Sequence, residues 1–477
     1  MSNEMMSLLI IVYFLWAITV VLLLVRSPWL FLRPSVWISI SFGIIISAAA
    51  VFLPDQYNHP GCPTLSALRD IDFVRLTTVA FPLILLIFTV LTPAISQQYK
   101  VLFLRIYPYN NAISNPPKAQ PLDFRIALIM AVTCAIIIFA YLVTVPYTQT
   151  GLYAVFFNPS DIELAREESL KLLDNIVIKY SFSYMISIFG PLTCALMVQV
   201  IQWNKLALKQ FAAGIAILIV VIGVMLPGER SAAALCILSA GISYLFKVGL
   251  RKGWRTITIA TLGGTALVFI LTYLRFDDGE ISINTAMAVL EIVAIRIFTV
   301  PFATGIYSLQ YAQDFGLTGM STIRPLAFVT GVDFLNLPNE VMLSTMSGIT
   351  EAGKSGYMNT SFFFDFQAAF GFLAGLMIAA ICTFLLDFAI VFWAKLRGRI
   401  LKALYAVYLI QMLSLLSSAY LSSMNTHGII WSSFIAAGIG SFTTHQLRKE
   451  KLIYLLEKRG PNHNDAHPTV PSLANGK

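Results

Sequence analysis

The feature that most constrains this chain is a succession of apolar runs near 20 residues long, joined by connections of which every second one is basic. A run of that length crosses the ~30 Å of hydrocarbon in a bilayer as a helix, and soluble domains do not repeat it many times over. The runs fall at 5–25, 35–53, 73–95, 124–145, 181–201, 211–226, 231–248, 256–274, 360–386, 402–421 and 429–445. Composition agrees, with 57% hydrophobic and 12% charged residues. The expected fold is all-α, a polytopic helical bundle of about eleven transmembrane helices. A single transmembrane domain is expected over 1–456, followed by a disordered cytoplasmic tail at 457–477 that lacks apolar periodicity. The first run has no basic stretch before it, so it reads as a retained span and not as a cleaved signal peptide.

Charge sets the orientation, because cytoplasmic connections of membrane proteins carry an excess of Lys and Arg. Arg26 and Arg33 follow the first run, and Lys100, Arg105, Lys118 and Arg125 surround the third connection. Lys205 and Lys209 mark the fifth, Lys247, Arg251, Lys252 and Arg255 the seventh, Lys395, Arg397, Arg399 and Lys402 the ninth, and Arg448, Lys449 and Lys451 follow the last run. These segments hold 22 Lys/Arg against 5 Asp/Glu, and the others 10 against 19, a bias that losing one span would scramble. The N-terminus is therefore expected outside and the C-terminus inside. The net charge of +8 follows topology and is no signal for nucleic acid. The five cysteines show neither a disulfide framework nor zinc spacing. No metal and no cofactor are implied.

Three external segments are sizeable: 54–72, 146–180 and 275–359. The second contains NPSDIELAREESLKLLDNI, which reads as a short surface helix with acids early. The third is partly helical. Its residues 285–312 are apolar enough to resemble a span, but one crossing there would reverse the charge pattern, so a surface-lying or re-entrant pair broken near Pro301 is expected. Glu291 and Arg296, about 140° apart around a helix, would need separate partners.

Two stretches could carry chemistry. In VIGVMLPGERSAAAL two apolar runs meet at Pro227-Gly228-Glu229-Arg230, followed by small residues that permit close helix approach. A helix starting near Ser231 puts Arg230 at an N-terminus, where unpaired N–H groups already make the field positive. An anion between the two relieves the conflict, as at phosphate sites. Arg296 and Arg324 lie in the large external segment, and arginine offers a planar donor fork to phosphate oxygens. The alternative for each is an interfacial anchor. The second stretch is SGYMNTSFFFDFQAAFGFLAGL, with the cap-type residues Asn359, Thr360 and Ser361 ahead of an apolar run and Asp365 inside it. Asp365 can be a helix-joining ion-pair partner or a general base.

A short turn ending in arginine before a span, a large late external loop, then N-T-S-F…D-F…F-G-F-L-A-G, is an order that resembles the Wzy-type O-antigen polymerases. It is more distantly similar to the O-antigen ligases. The likeness covers mainly residues 211–386. It implies glycosyl transfer at the periplasmic face of the bacterial inner membrane, from a chain on undecaprenyl diphosphate to the sugar of a new lipid-linked repeat unit. It also implies a chain-length-regulating co-polymerase as partner. Arg230 matches the family's turn arginine and is expected to hold the diphosphate, with Arg296 and Arg324 assisting. Asn359 and Thr360 would bind acceptor or sugar, and Glu229 and Asp365 are the candidate bases, with His427 a weaker option. Ligases carry a histidine immediately before the asparagine of the late motif, where this chain has Met358. That favours polymerase over ligase. A lipid-linked oligosaccharide flippase would carry charge deep in many spans, and a secondary transporter would show repeated halves or broken midplane helices.

Overall fold

The computed structural model describes residues 3–53, 68–107, 121–157, 175–201, 208–228, 230–249, 294–345 and 360–439 except 395 and 397, with scattered positions at 165–173 and 253–291. Among them there is no strand. The helices are α1 (Asn3–Arg26), α2 (Pro34–Phe52), α3 (Ile71–Leu91), α4 (Pro93–Ile106), α5 (Pro121–Thr144), α6 (Gly151–Phe157), α7 (Ile176–Val200), α8 (Leu208–Val224) and α9 (Arg230–Val248). They continue with α10 (Val300–Phe315), α11 (Arg324–Thr330), α12 (Leu337–Thr345), α13 (Phe362–Phe370), α14 (Phe372–Trp393), α15 (Gly398–Leu416), α16 (Tyr420–Asn425) and α17 (429–439).

Among the described residues, eight helices are long and apolar enough to cross a bilayer: α1, α2, α3, α5 from Phe124, α7, α9 from Ser231, α14 and α15. The protein is an all-α, multi-pass membrane protein, and α8 is a shorter apolar helix beside the eight. The expected span 256–274 falls outside the described residues apart from isolated positions, and of 429–445 only 429–439 is described, as helix. The tail 457–477 and most of the expected surface helix after Asn158 also lie outside the described residues.

Local chemistry explains several boundaries. Pro93 lacks an N–H and occupies the first turn of α4, so the run expected as 73–95 ends at Leu91 and the chain turns. Asn175 caps α7, its Oδ1 accepting from Val177 N at 2.9 Å, so that helix starts several residues earlier than hydropathy alone suggests. The run 285–312 does not break at Pro301. A π turn at Ile295–Thr299 leads directly into α10, with Pro301 in its first turn. Phe302, Ile306 and Leu309 of α10 belong to the main core.

The expected span 360–386 is two helices, not one. Gly371 has φ +84°, a left-handed conformation that a side chain would disfavour, and it reverses the chain between α13 and α14. A Cβ on Gly375 would lie 2.5 Å from Gln367 Cα, so the two helices fold back in backbone contact. Their depth follows from α3. Thr89 of α3 meets Arg33 near one end of the bundle. Phe81, about 12 Å further along α3 at 1.5 Å per residue, meets Phe362 edge-on and Phe363 at a tilt, with centroids 5.9 and 4.9 Å apart. Phe73, about another 12 Å on, meets Phe372 at 5.8 Å. Helix α13 therefore starts at half depth and climbs to Gly371, and α14 then runs the full distance back.

Among the described residues, several basic side chains lie at helix ends. Lysine and arginine side chains there close the C-terminal carbonyls of neighbouring helices, where the helix dipole is negative. Lys247 donates to Val198 O at 2.8 Å, Arg399 to Gln199 O at 3.0 Å, Lys402 to Phe246 O at 2.7 Å, and Arg105 to Ala394 O. The charge alternation thus has a structural counterpart, with each of these cations capping a helix.

Candidate functional site

Polar side chains inside an apolar bundle are costly unless they are paired, so the pairing of each one separates structure from function. The largest polar group is fully paired. Arg33 and Asp387, both 0% exposed, form an ion pair with Arg33 Nε 2.5 Å from Asp387 Oδ2. The guanidinium also donates to Thr89 O at 3.1 Å, Ser96 Oγ at 2.9 Å and Thr92 Oγ1 at 2.7 Å. Asp387 accepts from Ser35 N at 2.9 Å and Ser35 Oγ at 2.7 Å, so it also caps the N-terminus of α2. Tyr99 OH donates to the Asp387 carbonyl at 2.9 Å. This network joins α2, α3, α4 and α14, and its saturation marks it as structural. Gln411 likewise bridges α15 to Ser187 O and Ser432 Oγ at 2.9 and 2.7 Å. Buried amides of this kind hold membrane helices together.

Asp365 is the opposite case. Both of its carboxylate oxygens are buried without a hydrogen-bond partner, and so is Thr360 Oγ1. Among the described residues no cation pairs with Asp365. Ser361 occupies the N-cap of α13, yet its hydroxyl caps nothing and instead donates to Leu415 O at 3.2 Å. The start of α13 thus leaves its own first-turn N–H groups without a side-chain cap at half depth. At about 100° per residue, Asp365 lies between two packed faces of α13. Phe362 and Phe366 meet Tyr420 of α16, each at 5.9 Å, and Phe364 meets Phe302 of α10 at 6.0 Å. Asp365 thus occupies the side of α13 between the face that meets α10 and the face that meets α16. Ser423 of α16 has a buried hydroxyl that is also unpartnered.

The other expected residues fall as follows. Arg230 is the first residue of α9, as the turn arithmetic requires, and its side chain lies outside the described residues. The turn before it is held rigidly. Leu152 N donates to Leu226 O at 3.0 Å, and a Cβ on Gly151 would come within 2.2 Å of Pro227 O. Glu229, Asn359 and Met358 lie outside the described residues. Arg296 sits in the π turn before α10 and Arg324 starts α11, with both side chains likewise outside. His427 Nε2 pairs with Ser418 Oγ at 3.1 Å.

Two of these positions, Arg296 and Arg324, belong to chain segments that continue into contact with α13. Helix α10, which continues from the Arg296 turn, packs on α13. Thr318, just ahead of α11, donates its N–H to Ala368 O at 3.2 Å. Helix α9, which starts at Arg230, contributes Ala232 and Cys236 to the smaller core with Cys134, Cys194 and Val224. No family model, curated protein or solved structure matches the chain.

Proposed function

We propose that this protein is a membrane glycosyltransferase that polymerises undecaprenyl-diphosphate-linked oligosaccharide repeat units into O-antigen or a related surface polysaccharide. The observation that carries the reading is the free carboxylate of Asp365, buried on a helix that starts at half depth, with the unpartnered hydroxyl of Thr360 one turn ahead of it. A buried carboxylate with no donor among the described residues is suited to take one from a ligand hydroxyl. In the proposed reaction Asp365 accepts the proton of the acceptor hydroxyl. That oxygen bonds to the anomeric carbon of the donor, and the bond from this carbon to the diphosphate breaks. Undecaprenyl diphosphate leaves with the electron pair, and cations stabilise its developing charge. Arg230 is assigned that task, with Arg296 and Arg324 assisting, and Asn359 and Thr360 hold sugar. The motif order of residues 211–386 supports the assignment. The site then works at the periplasmic face of the inner membrane, with the N-terminus periplasmic, the C-terminus cytoplasmic and a chain-length regulator as partner.

Asp365→Asn keeps the shape of the side chain and removes the base. Polymer formation is expected to fall by about 10²–10⁴-fold, the usual contribution of a general base, while the protein accumulates normally in the membrane. Glu229→Gln should leave polymer intact. The opposite pattern, wild-type polymer from Asp365→Asn and none from Glu229→Gln, transfers the role to Glu229.

A further inference from the structure

The segment around α11 presents apolar side chains outward although it belongs to no membrane-length helix. Phe328 is 88% exposed and Val329 78%. On α11 the inward residue is Ala327, at 1% exposure. At about 100° per residue, Val329 lies opposite Ala327 and is flanked by Phe328 and by Leu326, which is also exposed. The face turned away from the protein is therefore apolar across its width, and exposed apolar patches of this kind mark contact surfaces.

The rest of the fold indicates what covers it. Exposed Leu317, in the connection before α11, has its Cδ1 3.9 Å from the position of a Cβ on Gly371. Gly371 leads directly into α14, on which Leu373, Met377, Ile381 and Leu385 are all exposed. Their four-residue spacing makes one stripe along a bilayer-length helix. The apolar surface of the α11 segment begins where that stripe ends, at the end of the bundle away from Arg33.

We infer that α11 lies in the membrane interface at that end, with Phe328 and Val329 inserted among phospholipid chains. A short helix held flat at this level continues the lipid-facing surface of α14 and removes the exposed patch from water. It also sets the backbone of Arg324, the first residue of α11, near the depth of lipid head groups. The inference rests on exposure and continuity and does not depend on glycosyl transfer.

The test places a benzophenone photoprobe at Phe328 in the full-length protein, reconstituted in vesicles of phosphatidylethanolamine and phosphatidylglycerol. Ile381 on the α14 stripe serves as the lipid-facing reference and exposed Glu168 as the reference outside the spans. After irradiation, mass analysis is expected to find phospholipid adducts at Phe328 at the yield seen for Ile381, with little at Glu168. A yield at Phe328 no higher than at Glu168 overturns the inference. So does a crosslink from Phe328 to a second protein chain in place of lipid.

Discussion

Asp387→Ala is expected to destabilise the folded protein by about 3–5 kcal/mol, the cost of leaving one member of a buried ion pair without its partner. Three losses add in this variant. Arg33 keeps a full charge at 0% exposure with only neutral acceptors left. The N-terminus of α2 loses the carboxylate that accepts from Ser35 N, and Ser35 Oγ loses its acceptor. Because the network joins α2, α3, α4 and α14, the defect should appear as a lower melting temperature of the purified protein in detergent and as poor accumulation in cells. The double variant Arg33→Met with Asp387→Leu removes both charges and should recover most of the loss, since apolar replacement of a buried pair is often close to neutral. A single variant that melts like wild type would remove the network from the account of stability.

Arg230→Ala is expected to abolish long polysaccharide while the protein still reaches the membrane in normal amount. Helix α9 begins at Arg230, and a helix N-terminus carries a positive field, so a cation at that position calls for an anion. The chain resolves the same conflict at Arg33, the residue ahead of α2, by supplying Asp387 as the anion. At Arg230 the proposed anion is the diphosphate of the substrate. Losing one such donor costs about 10²–10³ in rate, or roughly 3–4 kcal/mol. Arg230→Lys should recover little, because a point charge does not reproduce the planar fork. The readout is the lipopolysaccharide ladder of complemented deletion cells, and a ladder of normal length from the alanine variant would remove Arg230 from the site.

Much of this fold was legible in the sequence because membrane helices announce themselves by length and hydropathy. The helices expected near 5–25, 35–53, 124–145 and 231–248 are present within a few residues. The start of α9 was legible too, since the turn Pro227-Gly228 leaves no other place for it. What hydropathy could not supply was tertiary direction. Nothing in FFFDFQAAFGFLAGL separates a straight span from a hairpin, because Gly371 and Gly375 are ordinary residues of membrane helices until the backbones touch. Pro301 looked like a break because proline removes a helical hydrogen bond, but the π turn ahead of it absorbs the misfit.

The site was legible in part. Asp365 is legible as a lone acid in an apolar run, but its lack of a partner among the described residues is a tertiary fact with no local signature. Asp387 carries no such signal in the sequence, because hydropathy ends the span at 386 and leaves it among loop residues. Arg33 was read as a topology marker alone. Its burial against Asp387, 354 positions away in the chain, is a long-range contact with no local signature.

Reconstitution of the purified protein in vesicles tests the central claim most directly. The substrate is the undecaprenyl-diphosphate-linked oligosaccharide extracted from cells lacking the protein, and the products are separated by size. The account predicts a ladder of lipid-linked glycans that grows by one repeat unit at a time, with one undecaprenyl diphosphate released per added unit. It also predicts that neither Asp365→Asn nor Arg230→Ala supports the ladder. Lipid-linked oligosaccharide that remains a single unit with the wild-type protein, or that only changes leaflet, would contradict it.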